Sequence, residues 1–133
     1  GCMSVHVVAA IIEYENEFLC VQRGSHPLSY ISYKYEFPGG KVEADESEEL
    51  ALVRELKEEL NMDITVKKHF MTVNYKYPDF NLKMDAFMCN IHDPQVALTE
   101  HISYTWLSAK QMLSLDWAAA DIPIVERLAE EAL

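Results

Sequence analysis

The chain has 133 residues; half are hydrophobic, and only four are glycine and five proline. This composition excludes a disordered, collagen-like or low-complexity chain and predicts a single domain over residues 1–133. The 22 acidic and 11 basic residues give a net charge of −11, which argues against a nucleic-acid polymer as partner, because binding its phosphates requires clustered positive charge.

The predicted elements alternate between strands and helices along the chain. In chain order, we expect strands at residues 5–12 and 18–22 joined by a polar turn at 13–16, a loop at 24–32 and a short extended segment at 35–37. A turn at Pro38-Gly39-Gly40, in which the backbone can approach a ligand closely, precedes a helix at 45–60. Strands then follow at 64–77, 82–91 and 104–107, a brief helix at 108–113, and a last helix with Asp121 as a candidate N-cap. This mixture predicts an α/β (α+β) fold with a mixed β-sheet between helices on both faces.

Apolar segments and cysteines indicate the compartment. The longest apolar run, residues 7–12, is far shorter than the roughly 18–20 residues of a membrane span, and no basic segment precedes it. We therefore expect no membrane partner and a cytoplasmic protein. The three widely spaced cysteines, Cys2, Cys20 and Cys89, predict reduced and mostly buried thiols.

The helix predicted at residues 45–60 has two different faces. Asp45 and Glu48 have the spacing of a capping box, and Asn61 suits a left-handed helix end. The helical period places four apolar side chains on a stripe that faces the core: Leu52, Val53, Leu56 and Leu60.

The other face of that helix concentrates negative charge. Glu55, Glu58 and Glu59 group together, with Glu48 near them and the small Ala51 among them. Like charges at these spacings repel by roughly 0.2–0.5 kcal/mol per pair. Two interpretations follow: a solvated acidic face in which Arg54 relieves Glu58, or a site for hard divalent cations, which prefer carboxylate oxygens.

The spacing around these carboxylates resembles a known signature. Gly40 is followed by five residues and Glu46, then by seven residues and the run Arg54-Glu55-Leu56-Lys57-Glu58-Glu59-Leu60-Asn61-Met62. This pattern resembles the Nudix hydrolase box, with Asn61 where the family has glycine. The segment from Tyr35 to Glu43 and the run Ala120-Asp121-Ile122-Pro123 resemble MutT-type enzymes, and in particular the CTP pyrophosphohydrolase branch. The resemblance covers nearly the whole chain and implies a Nudix-like α/β/α sandwich.

The resemblance also implies roles for the matching residues. The implied metal ligands are the carbonyl of Gly40 and the carboxylates of Glu55, Glu58, Glu59 and Glu100. The implied cofactor is Mg²⁺, with Mn²⁺ as a possible substitute. Arg54 would orient the neighbouring glutamate, Glu46 would support the loop, and Glu100 is alternatively the group that takes a proton from water. The implied catalytic set is thus Arg54, Glu55, Glu58 and Glu100.

Four further residues are candidates for contacts with the substrate. Arg23 and Lys41 suit phosphates, and for each the alternative is an exposed cation at a strand end. Phe37 is either a platform for a base or a core aromatic. Asp121 stands where relatives read the base edge; its carboxylate would accept a hydrogen bond from the cytosine amine, which favours cytosine over uracil or thymine. Guanine also offers N–H donors, and a simple helix cap remains the alternative role.

The expected activity is Mg²⁺-dependent hydrolysis of an NTP or dNTP to a nucleoside monophosphate and diphosphate, with cytidine-type or modified nucleotides preferred. A divalent ion between protein and phosphates reconciles an anionic substrate with a net charge of −11. The alternatives are an 8-oxo-dGTP sanitising diphosphatase, a hydrolase of another nucleoside diphosphate-X, and a non-catalytic binding module. The last is disfavoured because every glutamate of the box is present. The sequence makes no prediction of the oligomeric state.

Overall fold

A computed structural model describes residues 3–133, so Cys2 lies outside the described residues. Within this range the strands are β1 (Met3–Tyr14), β2 (Glu17–Gln22), β3 (Tyr35–Glu36), β4 (Gly39–Lys41), β5 (Thr65–Lys76), β6 (Phe80–Asn90) and β7 (Ser103–Leu107). The helices are α1 (Glu48–Leu60), α2 (Ala109–Met112) and α3 (Ile122–Glu131), with a 3₁₀ turn at Ala119–Asp121. None of the helices in the described part of the chain is long and apolar enough to cross a membrane.

The sheet is mixed and is organised around β1. On one side β1 pairs in parallel with β6, from Met3 opposite Phe80 to Ile12 opposite Cys89, and β6 pairs antiparallel with β5. On the other side β1 pairs antiparallel with β4 along its first half and with β2 at its end. Strands β3 and β7 then pair with β2. Strands β4 and β2 therefore share one edge of β1.

The side chains of β1 point alternately into two hydrophobic cores, one on each face of the sheet. Val8, Ala10 and Ile12 point toward α1, whereas Ala9 and Ile11 point toward α2 and α3. Helices therefore cover both faces of a mixed sheet. The predicted α/β/α sandwich is confirmed.

Helix α1 differs from its prediction at its start. The helix begins at Glu48, because the Ser47 hydroxyl accepts a hydrogen bond from the amide of Leu50, while Asp45 has a left-handed φ of 63°. The predicted cap at Asp45 is therefore wrong. At the other end Asn61 has a φ of 52° and ends the helix in the left-handed conformation, as predicted.

The buried face of α1 is also rotated relative to the prediction. Val53 is 39% exposed, whereas Ala51, which we expected among the carboxylates, is fully buried beside Leu52. The rotation follows from the packing of α1 on β1 and β4, which brings the helix side that carries Glu55 close to the sheet.

Two cysteines lie in the sheet interior. Cys20 and Cys89 are free and buried, as predicted. Burial raises the pKa of each thiol to about 12, so both remain protonated and act as small apolar side chains.

Candidate active site

Two glycines allow β4 to pack tightly against its neighbours. A Cβ at Gly39 would overlap the backbone of Val8, and a Cβ at Gly40 would overlap the carboxylate of Glu55. Both glycines are strand residues, and no glycine in residues 3–133 has a positive φ. The predicted turn at Pro38-Gly39-Gly40 is therefore wrong. Glycine is required here for space, which lets the backbone of Gly40 lie directly against a carboxylate of α1.

Four carboxylates converge beside Gly40, and we call them the carboxylate cluster: Glu36, Glu55, Glu59 and Glu100. Glu55 and Glu59 project from adjacent turns of α1, Glu36 from β3, and Glu100 from the loop before β7. Burial and then the charges of Glu55, Glu36 and Glu100 raise the pKa of Glu59 to about 8. The cluster therefore concentrates more negative charge than its surroundings stabilise.

The cluster fits a divalent cation. The Oε2 atom of Glu59 is buried and has no hydrogen-bond partner among the described residues. Nor does any described lysine or arginine form an ion pair with Glu59. Clustered carboxylate oxygens with open valences, next to a backbone carbonyl, are the donor set that Mg²⁺ and Mn²⁺ prefer.

Arg54 holds one edge of the cluster in place. Its guanidinium donates to both carboxylate oxygens of Glu46 at 2.7 and 2.9 Å, to Oε1 of Glu55 at 2.8 Å, and to the carbonyl of Lys41 at 3.1 Å. The hydrogen bonds from Arg54 lower the pKa of Glu46 to about 2. Arg54 thus ties α1 to β4 and to the loop between them, as the proposed orienting and supporting roles require.

Glu58 occupies a different position from the other two helix glutamates. Its side chain is 61% exposed, lies 3.4 Å from Arg54, and is not among the described residues that line the cleft. Helical geometry explains the difference. Glu58 and Glu59 follow Glu55 by three and four positions, and these two positions lie on opposite sides of Glu55 around the helix axis. Only the side that carries Glu59 faces the cluster. A metal-binding or catalytic role for Glu58 stays a prediction.

The carboxylate cluster lies at one end of a cleft of about 860 Å³, a size typical of small-molecule sites. Arg23 and Lys41 both line this cleft. The Nη1 atom of Arg23 lies 3.5 Å from Glu36, and the side chain remains partly exposed. A phosphate-binding role for these two cations stays a prediction.

The other end of the cleft is apolar with one buried acid. The ring of Phe37 is buried and stacks on Trp117, with the ring centroids 4.9 Å apart. Asp121 is 5% exposed, and its Oδ1 atom accepts a hydrogen bond from the amide of Phe37 at 3.0 Å. Asp121 makes no side-chain bond to α3, so its predicted capping role is wrong. Burial, and then the charge of Glu36, raise the pKa of Asp121 well above its usual value.

Sequence reasoning assigned no role to two residues that join the ends of the cleft. The Nε2 atom of His101 lies 2.8 Å from the carboxylate of Glu36, while the Nδ1 atom is buried with no partner among the described residues. His101 stands next to Glu100, and Glu36 belongs to the segment that precedes Pro38. Their proximity depends on the pairing of β2 with both β3 and β7, which no local pattern reveals.

Comparison with known proteins identifies the family. The model of the NUDIX domain matches residues 3–128. The chain belongs to the Nudix family. Among its relatives, this Nudix chain is 36% identical to the CTP pyrophosphohydrolase of Escherichia coli K12, over 92% of this chain and 89% of that protein. It is 27% identical to the 8-oxo-dGTP diphosphatase of the same strain, over 93% of this chain and 95% of that protein.

Solved structures agree with the Nudix assignment. The crystal structure of the MutT protein from Methanosarcina mazei Go1 matches with a TM-score of 0.87 and 28% identity, over 98% of this chain and 96% of that chain. The protein is therefore an enzyme, a Nudix hydrolase of phosphoric anhydride bonds. Divalent metal ions are typical cofactors of this family, which agrees with the donor set of the carboxylate cluster.

Proposed function

We propose that this Nudix hydrolase is a Mg²⁺-dependent nucleoside triphosphate pyrophosphohydrolase that prefers cytidine-type or modified nucleotides. The observation that carries the proposal is the layout of the cleft. Carboxylates suited to divalent ions lie at one end, cations lie at the rim, and a single buried acid lies at the other end. A triphosphate at the carboxylate end would place its base toward Asp121.

The carboxylate end supplies the groups that a phosphoanhydride hydrolase needs. The Gly40 carbonyl and the carboxylates of Glu55, Glu58, Glu59 and Glu100 would hold Mg²⁺ or Mn²⁺. When bound, such an ion neutralises phosphate charge and lowers the pKa of water. Arg54 keeps Glu55 in place. Glu100 lines the cleft from a loop and is either a further ligand or the group that accepts the proton of the attacking water. Arg23 and Lys41 contact the phosphates and stabilise the charge of the transition state.

The buried acid at the other end supports a preference for cytosine. Its raised pKa favours the protonated form of Asp121, in which the side chain offers one O–H donor and one carbonyl acceptor. Cytosine presents the complementary pair on its Watson–Crick edge, a ring nitrogen acceptor and an amine donor. The similarity to the E. coli CTP pyrophosphohydrolase favours the same preference. Phe37 would contribute an apolar wall beside the base rather than a free stacking platform, because its ring already stacks on Trp117.

Hydrolysis of 8-oxo-dGTP is the second candidate. Several relatives are named 8-oxo-dGTP diphosphatases, including those from E. coli and Proteus vulgaris. An ionised Asp121 would accept hydrogen bonds from the N–H donors of an oxidised guanine. The protonation state of one carboxyl group therefore separates the two candidates.

A nucleotide panel tests the proposal. Release of diphosphate is measured from CTP, dCTP, a 5-modified dCTP, 8-oxo-dGTP and ADP-ribose in the presence of Mg²⁺, Mn²⁺ or EDTA. We expect the highest kcat/KM for a cytidine triphosphate with Mg²⁺ and none with EDTA. Fastest turnover of ADP-ribose would instead indicate a nucleoside diphosphate-X hydrolase, and no turnover of any nucleotide would indicate a binding module.

A pair of variants on one helix controls the panel. Glu59→Gln removes a charge of the carboxylate cluster, whereas Glu49→Gln removes an exposed charge in the first turn of α1. Turnover should be lost in the first variant and retained in the second. Equal loss in both would show that the effect comes from the helix and not from the cluster.

A further inference from the structure

A second group of ligand-type side chains lies beside the first turn of α1, and none of its members is among the described residues that line the cleft. His6 of β1 and Asp85 of β6 come from adjacent parallel strands, and Glu48 is the first residue of α1. Strand alternation directs His6 to the same sheet face as Val8 and Ala10, toward α1. Glu48 also lies seven residues, about 10 Å along the helix axis, from Glu55. It therefore does not join the other helix glutamates, contrary to the sequence-based expectation.

The three side chains converge on one point. The Nε2 atom of His6 lies 2.9 Å from Oε2 of Glu48 and 3.0 Å from Oδ2 of Asp85. The three ligand atoms all lie within 4.8 Å of one another. An imidazole nitrogen carries at most one hydrogen, so Nε2 can donate to only one of the two carboxylates that face it. When both carboxylates are ionised, hydrogen bonding thus leaves one of these contacts between two acceptors.

A second layer of contacts fixes the buried carboxylate. Asp85 is 5% exposed, and its Oδ1 atom accepts hydrogen bonds from the hydroxyl of Thr72 and lies 3.2 Å from Nε2 of His69. Its Oδ2 atom is thereby directed toward His6 and Glu48. A coordinating carboxylate whose second oxygen is held by neighbours is a common feature of metal sites.

We propose that His6, Glu48 and Asp85 bind a divalent transition-metal ion, with Zn²⁺ the best fit, in a site separate from the catalytic one. Zn²⁺ binds imidazole nitrogen together with carboxylate oxygen, whereas Mg²⁺ favours oxygen ligands alone. The side chains of His6 and Glu48 are 38% and 33% exposed, so an ion can enter from solvent. One neighbouring cation opposes binding, since Nζ of Lys83 lies 4.0 Å from Asp85.

Calorimetric titration of tag-free protein with Zn²⁺, with Mg²⁺ in large excess, tests this site. We expect one equivalent of Zn²⁺ to bind the wild type and the His92→Asn control, which removes an exposed histidine elsewhere. A residue that supports a metal ligand contributes roughly 10- to 100-fold to metal affinity. Thr72→Val should lower the Zn²⁺ affinity within that range, and His6→Asn should lower it by more. Lys83→Met should raise it. Co²⁺ should give visible absorption bands in the wild type that are absent in His6→Asn.

Two further variants keep the test decisive. Glu59→Gln should bind Zn²⁺ as the wild type does, which separates this site from the carboxylate cluster. Glu48→Gln removes a ligand at the helix surface without disturbing the strands, and it should weaken binding as His6→Asn does. Hydrolysis with Mg²⁺ should be unchanged in both His6→Asn and Glu48→Gln, which shows that they fold. Unchanged Zn²⁺ affinity in these two variants, loss of binding only in Glu59→Gln, or no uptake by the wild type would each overturn the proposal.

Discussion

The two ends of the cleft each contain a carboxyl group whose pKa is raised, but their environments differ. At the carboxylate end Glu59 is partly buried among Glu36, Glu55 and Glu100, and one of its oxygens has no partner in the described chain. At the base end Asp121 is nearly fully buried, and it accepts a hydrogen bond from the amide of Phe37. Burial is the largest cause of the raised pKa in both groups, but Glu59 also faces three like charges, whereas Asp121 faces that of Glu36.

The surroundings of each carboxyl group determine what that end of the cleft can bind. A lone desolvated acid is stabilised by a proton, which leaves a neutral donor and acceptor pair suited to a base edge. Several adjacent carboxylates cannot all be protonated without losing their function, and a divalent ion stabilises them together. We therefore expect substitutions at the carboxylate end to affect turnover and substitutions at the base end to affect the choice of substrate.

The largest expected effect is loss of turnover on removal of a helix carboxylate. We expect Glu59→Gln and Glu58→Gln each to reduce kcat with Mg²⁺ by more than about 100-fold, because a metal ligand contributes more than its supporting residues. Steady-state kinetics on the preferred triphosphate measure this effect.

The two variants also discriminate between the positions of these side chains. Glu58 is exposed in the structure, so Glu58→Gln should leave the free energy of unfolding within about 0.5 kcal/mol of the wild type. If Glu58→Gln retains near wild-type turnover, Glu58 is not a ligand and only the side chains that line the cleft hold the metal.

The next largest effect is a contrast between alanine substitutions at the two neighbouring glycines, Gly39 and Gly40. Gly40→Ala would displace the carboxylate of Glu55, a flexible side chain, and should reduce kcat more than stability. Gly39→Ala would collide with the backbone of Val8, which cannot yield in the same way, and should lower the free energy of unfolding by about 1–3 kcal/mol. Denaturant unfolding and steady-state kinetics on both variants measure the contrast. Equal losses of stability would show that Gly40 serves packing and not the carboxylate cluster.

Much of the fold was predictable because strand and helix periods are local. Most strands, α1 and its end at Asn61 follow from patterns a few residues long, whereas the pairing of the strands does not. The start of α1 was not predictable in this way, because Asp45 and Ser47 are both good N-cap residues. The choice between them depends on Arg54, which lies further along the chain. Glu46 between them bonds to Arg54 and to the amide of Glu43, and this holds residues 43–46 in a turn before the helix.

The candidate site was predictable only where its residues share one helix or one motif. The period of α1 groups Glu55 and Glu59, but it cannot show that Gly40 lies against Glu55 or that Glu58 faces solvent. The contact of His101 with Glu36 spans 65 residues, and that of His6 with Asp85 spans 79. Such pairs depend on strand order, which the sequence pattern alone does not determine.

A smaller effect concerns the choice of base. Asp121→Asn keeps one donor and one acceptor and cannot ionise, so it should retain turnover of CTP and reduce kcat/KM for 8-oxo-dGTP by about 10-fold. Asp121→Ala should lower both, with less effect on kcat than on KM. The measurement is the ratio of kcat/KM values for the two substrates in each variant. An unchanged ratio in Asp121→Asn would refute a role for Asp121 in reading the base.

The smallest effect is a difference in how pH changes stability. The pKa of Glu59 is about 8 in the folded chain, against about 4.5 when unfolded, so between these values the unfolded chain releases a proton that the folded chain retains. In EDTA the free energy of unfolding should therefore fall as pH rises from 5 to 8, and this fall should be smaller in Glu59→Gln. Added Mg²⁺ should remove this part of the fall, because the ion stabilises the ionised cluster. The raised pKa of Asp121 produces a fall of the same sign, which Asp121→Asn should remove but Mg²⁺ should not. If the free energy of unfolding depends on pH in the same way in the wild type and in Glu59→Gln in EDTA, the distinction between the two ends is contradicted. Such a result would mean that the carboxylate cluster holds no more unfavourable charge than its surroundings already stabilise.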